Sequence, residues 1–478
     1  MATEVPRNPT ENIVFGRANQ KINPRIMKCK TNVAKKISIF GPPFLNIAFH
    51  LPPSIRKTLH LISLQFQSFA LKESDSFSQK DWQEVQSEKF KKIIEVAKVV
   101  PYWKKVFFIF DSPEREFKEL NLQDFPVFSR KELKGFSLQI FTSSNISQKR
   151  FIQTSTSGST GEPFILYQDE RELVIRQANI IQEFNYNGFK VKKPILILGL
   201  GAHTHLTIWG TRFTGFTLEN EIERRRKLYP FLSVAKPEFL ISTPSLVKRF
   251  IYFLKKDNQN CVLKAVKCTG ETLDEATRKE IKDFFQCQVF SVYATRETSV
   301  LGIECAEKKF HLAPWLNFIE ILDDNDKNLP DGEDGRVVVT YFENFVMPFI
   351  RYDIGDRGMI NSEPCSCGRQ TKTITFTGRT GGSIETPSGK SVMFLAISSA
   401  MARDFHDEIA RYQFEQTAPD KLVFRFIPSV RYSPAVGERL LKTLQSLLNN
   451  EIACELDKVS EILPNTEGKT PIFIKSFH

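Results

Sequence analysis

Between two apolar runs, Phe151-Ile152 and Phe164-Ile165-Leu166-Tyr167, the chain reads TSTSGSTGEP from Thr154 to Pro163, and its first eight positions hold only Ser, Thr and Gly. Small side chains let a backbone approach closely, so such a loop turns its N–H groups and hydroxyls toward a phosphate. The chemistry suggested is nucleotide-phosphate binding. The segment lacks the Gly-Lys-Ser/Thr ending of a Walker A loop, and a flexible hairpin turn is the competing reading of these residues alone. A second glycine signal, Gly199-Leu200-Gly201 after the apolar run PILIL, would suit a dinucleotide fold if a third glycine followed, but Thr204 stands at that position.

A different chemistry is carried by Cys305, His311, Cys365 and Cys367, a Cys-x5-His and a Cys-x-Cys some fifty residues apart. Three soft thiolates and an imidazole would complete a tetrahedral zinc site with no open position, hence a structural one. Reduced buried thiols with a surface histidine are the alternative. Cys29, Cys261, Cys268, Cys287 and Cys454 read as ordinary small hydrophobes.

Further segments give the glycine-rich loop a context. In order along the chain come Thr269-Gly270-Glu271-Thr272-Leu273, Tyr293-Ala294-Thr295-Arg296-Glu297, Arg351-Tyr352-Asp353-Ile354-Gly355-Asp356, Gly378-Arg379, and Gly468-Lys469 within LPNTEGKTP. This series resembles the acyl-adenylating superfamily of acyl-CoA synthetases, luciferases and peptide-synthetase adenylation domains. The resemblance is closest to phenylacetate CoA ligases and their capsule-biosynthesis relatives. It rests there on PVFSRKEL at 126–133, the spacing from Glu297 to Glu304-Cys305, and MPFIRYDIGD followed by CSCGR, and it covers the chain from about residue 80 onward.

The resemblance implies that Thr156, Ser157, Gly158, Ser159, Thr160 and Gly161 cradle the β- and γ-phosphates of ATP. It places Gly270, Glu271 and Tyr293 around the adenine, with the Tyr293 ring stacked on the base. Glu297 would hold magnesium, an ion that demands hard oxygen ligands. Asp356 would accept both ribose hydroxyls, Arg379 would lie near the ribose or phosphate, and Lys469 would stabilise the charge that develops at the α-phosphate. The reaction implied is activation of a carboxylic acid to its acyl-AMP, then transfer to CoA, as in AMP-forming acid–thiol ligases. Two alternatives stand beside it: amide or ester formation with an amine or hydroxyl acceptor, and a non-catalytic relative that only binds. Three departures bear on this. Glu162 stands where many relatives carry Lys, Arg296 replaces a small hydroxyl residue, and Gly381-Gly382 occupy the place of the acidic hinge residue.

The elements that must position these groups alternate. From Trp82 the spacing of Phe90, Ile93, Ile94 and Ala97 predicts a helix stopped by Pro101. Strands near 239–243, across LKAVKCTGE and at 287–293 are separated by helices, the second with a Thr272/Glu275 capping box and Ile281, Phe284 and Phe285 on one face. The expected class is α/β. A lead-in over residues 1–80 packs on a large multi-layer domain of mostly parallel sheets over 81–380. A small mobile α+β lid follows over 381–478, with a strand at 421–427 and a helix bearing Leu440, Leu441, Leu444, Leu447 and Leu448.

Of 478 residues, 66 are Lys or Arg and 55 Asp or Glu, but the basic residues are dispersed and no nucleic-acid module surrounds them, so nucleic-acid binding is not expected. The apolar stretch Ile37–Pro53 is too short and too interrupted to span a bilayer. Scattered cysteines and a polar, mixed-charge start point to a cytoplasmic protein. The partners expected are ATP, a carboxylic acid and an acceptor, with a homodimer as one option. His203, His205 and Trp209 fall where an acyl pocket could form, and the 42 Phe would suit an apolar or aromatic acid.

Overall fold

The computed structural model describes residues 77–478 apart from 111–120, 135–137, 144–150, 157–163, 192, 199–204, 209–210, 217, 219–220, 380–382, 389–390, 394–396, 398–400, 402–403, 406–407, 449, 463–472 and 477–478. The expected lead-in over 1–80 lies almost wholly outside the described residues.

Helix α1 (Gln79–Ala97) starts at a capping box: the Ser78 hydroxyl accepts from the Asp81 N–H at 3.3 Å, and the Asp81 carboxylate accepts from the Ser78 N–H at 2.8 Å. It buries Trp82, Val85, Phe90, Ile93, Ile94 and Ala97, the periodic face expected. Pro101 does not stop this helix. The chain has already turned after Ala97, and Pro101 opens α2 (Pro101–Phe110), where a missing N–H costs nothing because the first turn has no intrahelical partner for it.

Strand β1 (Phe128–Ser129) precedes the hairpin of β2 (Ile152–Thr156) and β3 (Phe164–Gln168), and helix α3 (Glu170–Tyr186) follows. Then come β4 (Ile195–Leu198), β5 (His205–Ile208), β6 (Thr211–Phe216) and β7 (Phe239–Ser242). Helix α4 (Pro244–Lys256) leads to β8 (Ala265–Thr269), and α5 (Glu275–Phe285) to β9 (Gln288–Thr295). Strands β6, β4, β7, β8 and β9 are parallel neighbours. Side chains alternate across them: Phe239, Ile241, Phe290 and Val292 join one apolar cluster with Ile175, Ala178, Ile181 and Phe184 of α3, while Leu240, Val266 and Cys268 join another with Val247, Phe250, Ile251 and Leu254 of α4. This is an α/β layer with a helix on either face. The cap of α5 differs from the expected Thr272/Glu275 pair. Asp274 is the N-cap, its carboxylate accepting from the Thr277 N–H at 2.8 Å, because Glu275 is already the first helical residue.

The sheet continues through antiparallel strands β10 (Ser299–Glu304), β11 (Phe310–Leu312), β12 (Asn317–Leu322), β13 (Gly335–Tyr341), β14 (Tyr352–Asn361) and β15 (Thr373–Arg379). The order is β12-β13-β14-β15-β11-β10-β9 before the parallel strands, with β1 paired to β14. After a hairpin of β16 (Ser383–Glu385) and β17 (Ser391–Met393), strands β18 (Ile409–Ala418), β19 (Lys421–Pro428), β20 (Ala453–Lys458) and β21 (Phe473–Lys475) form a separate sheet. Helix α6 (Pro434–Leu447) buries Leu440 and Leu444 in the apolar cluster of that sheet, which also holds Leu448.

Arg351 joins the strands that lead to the motifs. Buried, with a left-handed φ of 52°, it donates from Nε to Glu320 Oε2 at 3.1 Å and from Nη1 to the Phe125 carbonyl at 2.8 Å. Burial raises the Glu320 carboxyl above its ordinary value against the pull of this guanidinium. Removing one partner of a buried ion pair leaves the other uncompensated. Arg351→Ala should therefore lower the unfolding free energy by about 3 kcal/mol, read as an earlier urea midpoint, whereas a loss below about 1 kcal/mol would mean that Glu320 is solvated on its own.

Candidate active site

The loop Ser157–Gly161 lies outside the described residues, as does the Thr156 side chain, but its hairpin does not: Thr156 pairs with Phe164 at the loop end of β2 and β3. From β3 the chain passes through Asp169, whose carboxylate caps α3 by accepting from the Glu172 N–H at 2.7 Å. Next to the cap, buried Arg171 bonds Glu343 Oε2 at 2.7 Å and lies 3.7 Å from the Phe345 ring centroid. The start of α3 is thus pinned by charge.

At the C-terminal end of β8, Gly270 adopts φ 81°, a turn that glycine takes without a Cβ penalty. Glu271 follows, and its carboxylate accepts from the Ser245 N–H at 3.1 Å and the Ser245 hydroxyl at 2.8 Å. Ser245 is in the first turn of α4, so the carboxylate sits on a helix N-terminus. Arg411 of β18 is within electrostatic reach of Glu271 and Arg249, and Tyr412 of Asp274, so the small sheet meets this corner.

Strand β9 ends in the turn that carries Glu297. Thr295 Oγ1 accepts from the Thr298 N–H at 2.9 Å and Ser299 has φ 62°, which closes the turn tightly into β10. The Tyr293 ring stacks on Phe376 of β15 with centroids 3.4 Å apart and planes 16° from parallel, so one of its faces is covered. Glu297 is nearly buried and lies near Tyr352; burial and the negative charge of Glu297 raise the Tyr352 phenol well above its ordinary value. Arg296 is exposed, with Arg176 as a like-charged neighbour.

In β14, Asp353 Oδ1 accepts from the Gly355 N–H at 2.8 Å and its Oδ2 from Arg336 Nη1 at 2.9 Å. Asp356, buried, pairs in register with Arg379 of β15, and Arg357 with Gly378. The Arg379 side chain, Lys469, Gly381-Gly382, Glu162, His203 and Trp209 lie outside the described residues, and of His205 only the strand backbone is described.

Between residues 305 and 367 the four expected metal ligands converge. Their ligand atoms all lie within 4.8 Å of one another, with Cys305 Sγ 3.8 Å from Cys365 Sγ and Cys367 Sγ 3.2 Å from His311 Nε2. Zinc–thiolate bonds of about 2.3 Å imply a tetrahedral edge of about 3.8 Å. The other imidazole nitrogen, Nδ1, faces the Thr371 carbonyl at 2.9 Å, which sets the tautomer that leaves Nε2 toward the thiols. The donor set fits zinc in number, type and spacing. Cys261, Cys268 and Cys287 are buried elsewhere with thiols pushed up to about 12 by desolvation, as inert small hydrophobes should be.

Comparison with known proteins decides the fold. The chain aligns with 2-hydroxyisobutyryl-CoA ligase in its postadenylation state, bound to 2-HIB-AMP, at a TM-score of 0.65 over 82% of this chain and 90% of that one, with 16% identity. The chain has the fold of that ligase. Its open form, bound to 2-HIB-AMP and CoA, aligns at 0.55 over 83% and 92% with 16% identity. By sequence the chain is similar to phenylacetate-coenzyme A ligase of Thermus thermophilus, 24% identical over 234 residues covering 45% of this chain and 51% of the relative. It is also similar to the enzyme of that name from Aromatoleum evansii, 23% identical over 280 residues, 54% of this chain and 61% of the relative. The chain thus spans about half the length of the first relative and three fifths of the second. No family model matches it.

The resemblance drawn from the motifs agrees with these relatives, and the α/β class with the ligase fold. Four contributors had not been singled out: Ser245, Arg176, the Tyr352 hydroxyl and Phe376. Tyr352 lies inside the Arg351–Asp356 motif, and Arg176 stands four residues after Glu172, an ordinary surface-helix spacing that does not reveal a buried pair.

Proposed function

We propose that the chain activates a carboxylic acid with ATP to give acyl-AMP and pyrophosphate, and then passes the acyl group to CoA. The observation that carries this reading is the closeness of Glu297 to Tyr352, which brings two motifs 55 positions apart together at one end of the sheet, beside the Asp356–Arg379 pair and Tyr293. A base can stack on the face of Tyr293 opposite Phe376, while Gly270 and Glu271 border it. Asp356 offers two acceptor oxygens to a ribose.

Glu297 fits magnesium as a hard carboxylate at a closed turn beside Tyr352. When bound, that ion neutralises phosphate charge. Residues 156–161 would bind the β- and γ-phosphates through backbone N–H groups, and Lys469 would meet the carboxylate and the α-phosphate. The acid's oxygen then attacks the α-phosphorus and pyrophosphate leaves. A thiol next attacks the acyl carbon and AMP leaves. The chain contributes positioning and charge stabilisation to both steps.

The reading extends to organisation. Residues 81–380 would form the main body and 381–478 a lid that presents Lys469, with rotation permitted at Gly381-Gly382. The site at Cys305, His311, Cys365 and Cys367 would hold a structural zinc. Among the described residues no helix is long and apolar enough to cross a membrane, and we place the protein in the cytoplasm.

The deciding assay is pyrophosphate release from magnesium ATP across a panel of aryl and alkyl acids. Release should require an acid, Lys469→Ala should reduce it at least about 100-fold, and added CoA should produce a further burst of AMP. ATP binding without release for any acid would refute the adenylation reading. A burst seen with an amine or alcohol, and not with CoA, would reassign the acceptor. The purified protein should also carry about one zinc per chain by elemental analysis. Cys367→Ser should lose the metal and melt earlier, whereas a metal-free protein of equal melting temperature would remove zinc from the account.

A further inference from the structure

Three features outside the expected site residues meet at the Glu297 turn. The Arg176 guanidinium donates from Nε and Nη2 to one oxygen of Glu172, at 2.8 and 2.7 Å, and from Nη2 to the backbone carbonyl of Glu297 at 3.3 Å. Glu172 is completely buried, and its second oxygen has no hydrogen-bond partner; neither has the buried hydroxyl of Tyr341, whose ring lies 5.4 Å from the same guanidinium. Burial pushes the Glu172 carboxyl up to about 7 against the pull of Arg176. A buried carboxylate with an unmatched oxygen is a costly arrangement for an ion pair that merely decorates a helix.

We propose that Glu172 and Arg176 are positioning residues that orient the backbone of Glu297, so that its carboxylate points where magnesium ATP needs it. The proposal rests on the reading of Glu297 as the magnesium ligand. Glu297 is then held through its main-chain carbonyl by Arg176, within a turn that the Thr298 N–H closes on Thr295 Oγ1. Helical spacing of four residues puts Glu172 and Arg176 on one face, with the acid on the N-terminal side. The same helix begins two residues after the phosphate-loop hairpin ends at Gln168, and its first turn is pinned by Asp169 and Arg171. One rigid element therefore sets both the exit of the phosphate loop and the direction of the magnesium ligand. A ligand held through its main chain loses little freedom when it binds a metal, which is how residues behind a metal ligand act on affinity.

The test uses the full-length protein and the variants Arg176→Gln and Glu172→Ala. In acid-dependent pyrophosphate release, the magnesium concentration for half-maximal rate should rise about tenfold in both, while the KM for the acid changes less than about twofold. Hydrogen exchange should quicken at the Thr298 amide, which closes the turn, and stay unchanged in the four-stranded C-terminal sheet. A lowered melting temperature with unaltered magnesium dependence would overturn the proposal and leave a structural ion pair. If the wild-type protein releases no pyrophosphate with any acid, the function of Glu297 fails separately. Exchange at Thr298 then still decides whether Arg176 holds the turn: quickening supports the tie, and no change overturns it.

Discussion

The arrangement depends first on buried charge that cannot be left alone. Arg171 is almost wholly inaccessible, and a guanidinium in that position must keep its partners: Glu343 at 2.7 Å, the Phe345 ring at 3.7 Å, and Asp169 at 3.9 Å. Glu343 is shared with Lys89 of α1, and these two cations hold its carboxyl below its ordinary value although burial acts the other way. Three segments distant in sequence are thereby fixed against one another. Hydrophobic packing alone would tolerate some sliding of α3 over the sheet, whereas ion pairs in a dry environment have direction and penalise it. The helix that follows the β2–β3 hairpin therefore has one seat.

The second constraint acts through strands with two functional ends. Strand β10 leaves the Glu297 turn and ends at Glu304, next to Cys305; strand β15 starts at Thr373, paired with His311, and ends at Arg379, paired with Asp356. Strand β9 is bonded to β10 and carries Tyr293. The Cys/His cluster thus gathers the far ends of strands whose near ends carry the candidate nucleotide residues. Arg369 adds a tie, with its guanidinium 3.6 Å from the Tyr186 ring at the end of α3. A strand clamped at one end and hydrogen-bonded along its length transmits little disorder to the other.

The alternating layer was legible because its signals are local. A run such as Ile195–Leu198 is apolar throughout, as a strand covered on both faces should be, and the helices between the parallel strands show clean periodicity. The four metal-type ligands were legible as soft donors in close pairs, and their convergence follows. End signals were less secure. Pro101 reads equally as a stop or a start, and Asp274 competed with Thr272 as a cap only one or two positions away. Contacts such as Tyr293 on Phe376 or Arg176 on the Glu297 carbonyl could not be read at all. They join residues 83 and 121 positions apart, and nothing in either local sequence marks the partner.

The small C-terminal sheet has a core of its own. Phe414, Leu422, Phe424 and Leu440 belong to an apolar cluster that shares no buried residue with the three clusters of the larger part, among the described residues. Changes in cores that do not touch combine additively. Over evolutionary time, residues beyond 380 can accumulate substitutions, or be exchanged by recombination, without compensating changes among the strands that carry Glu297 and Asp356. One part of the gene can then vary while the other stays as it is.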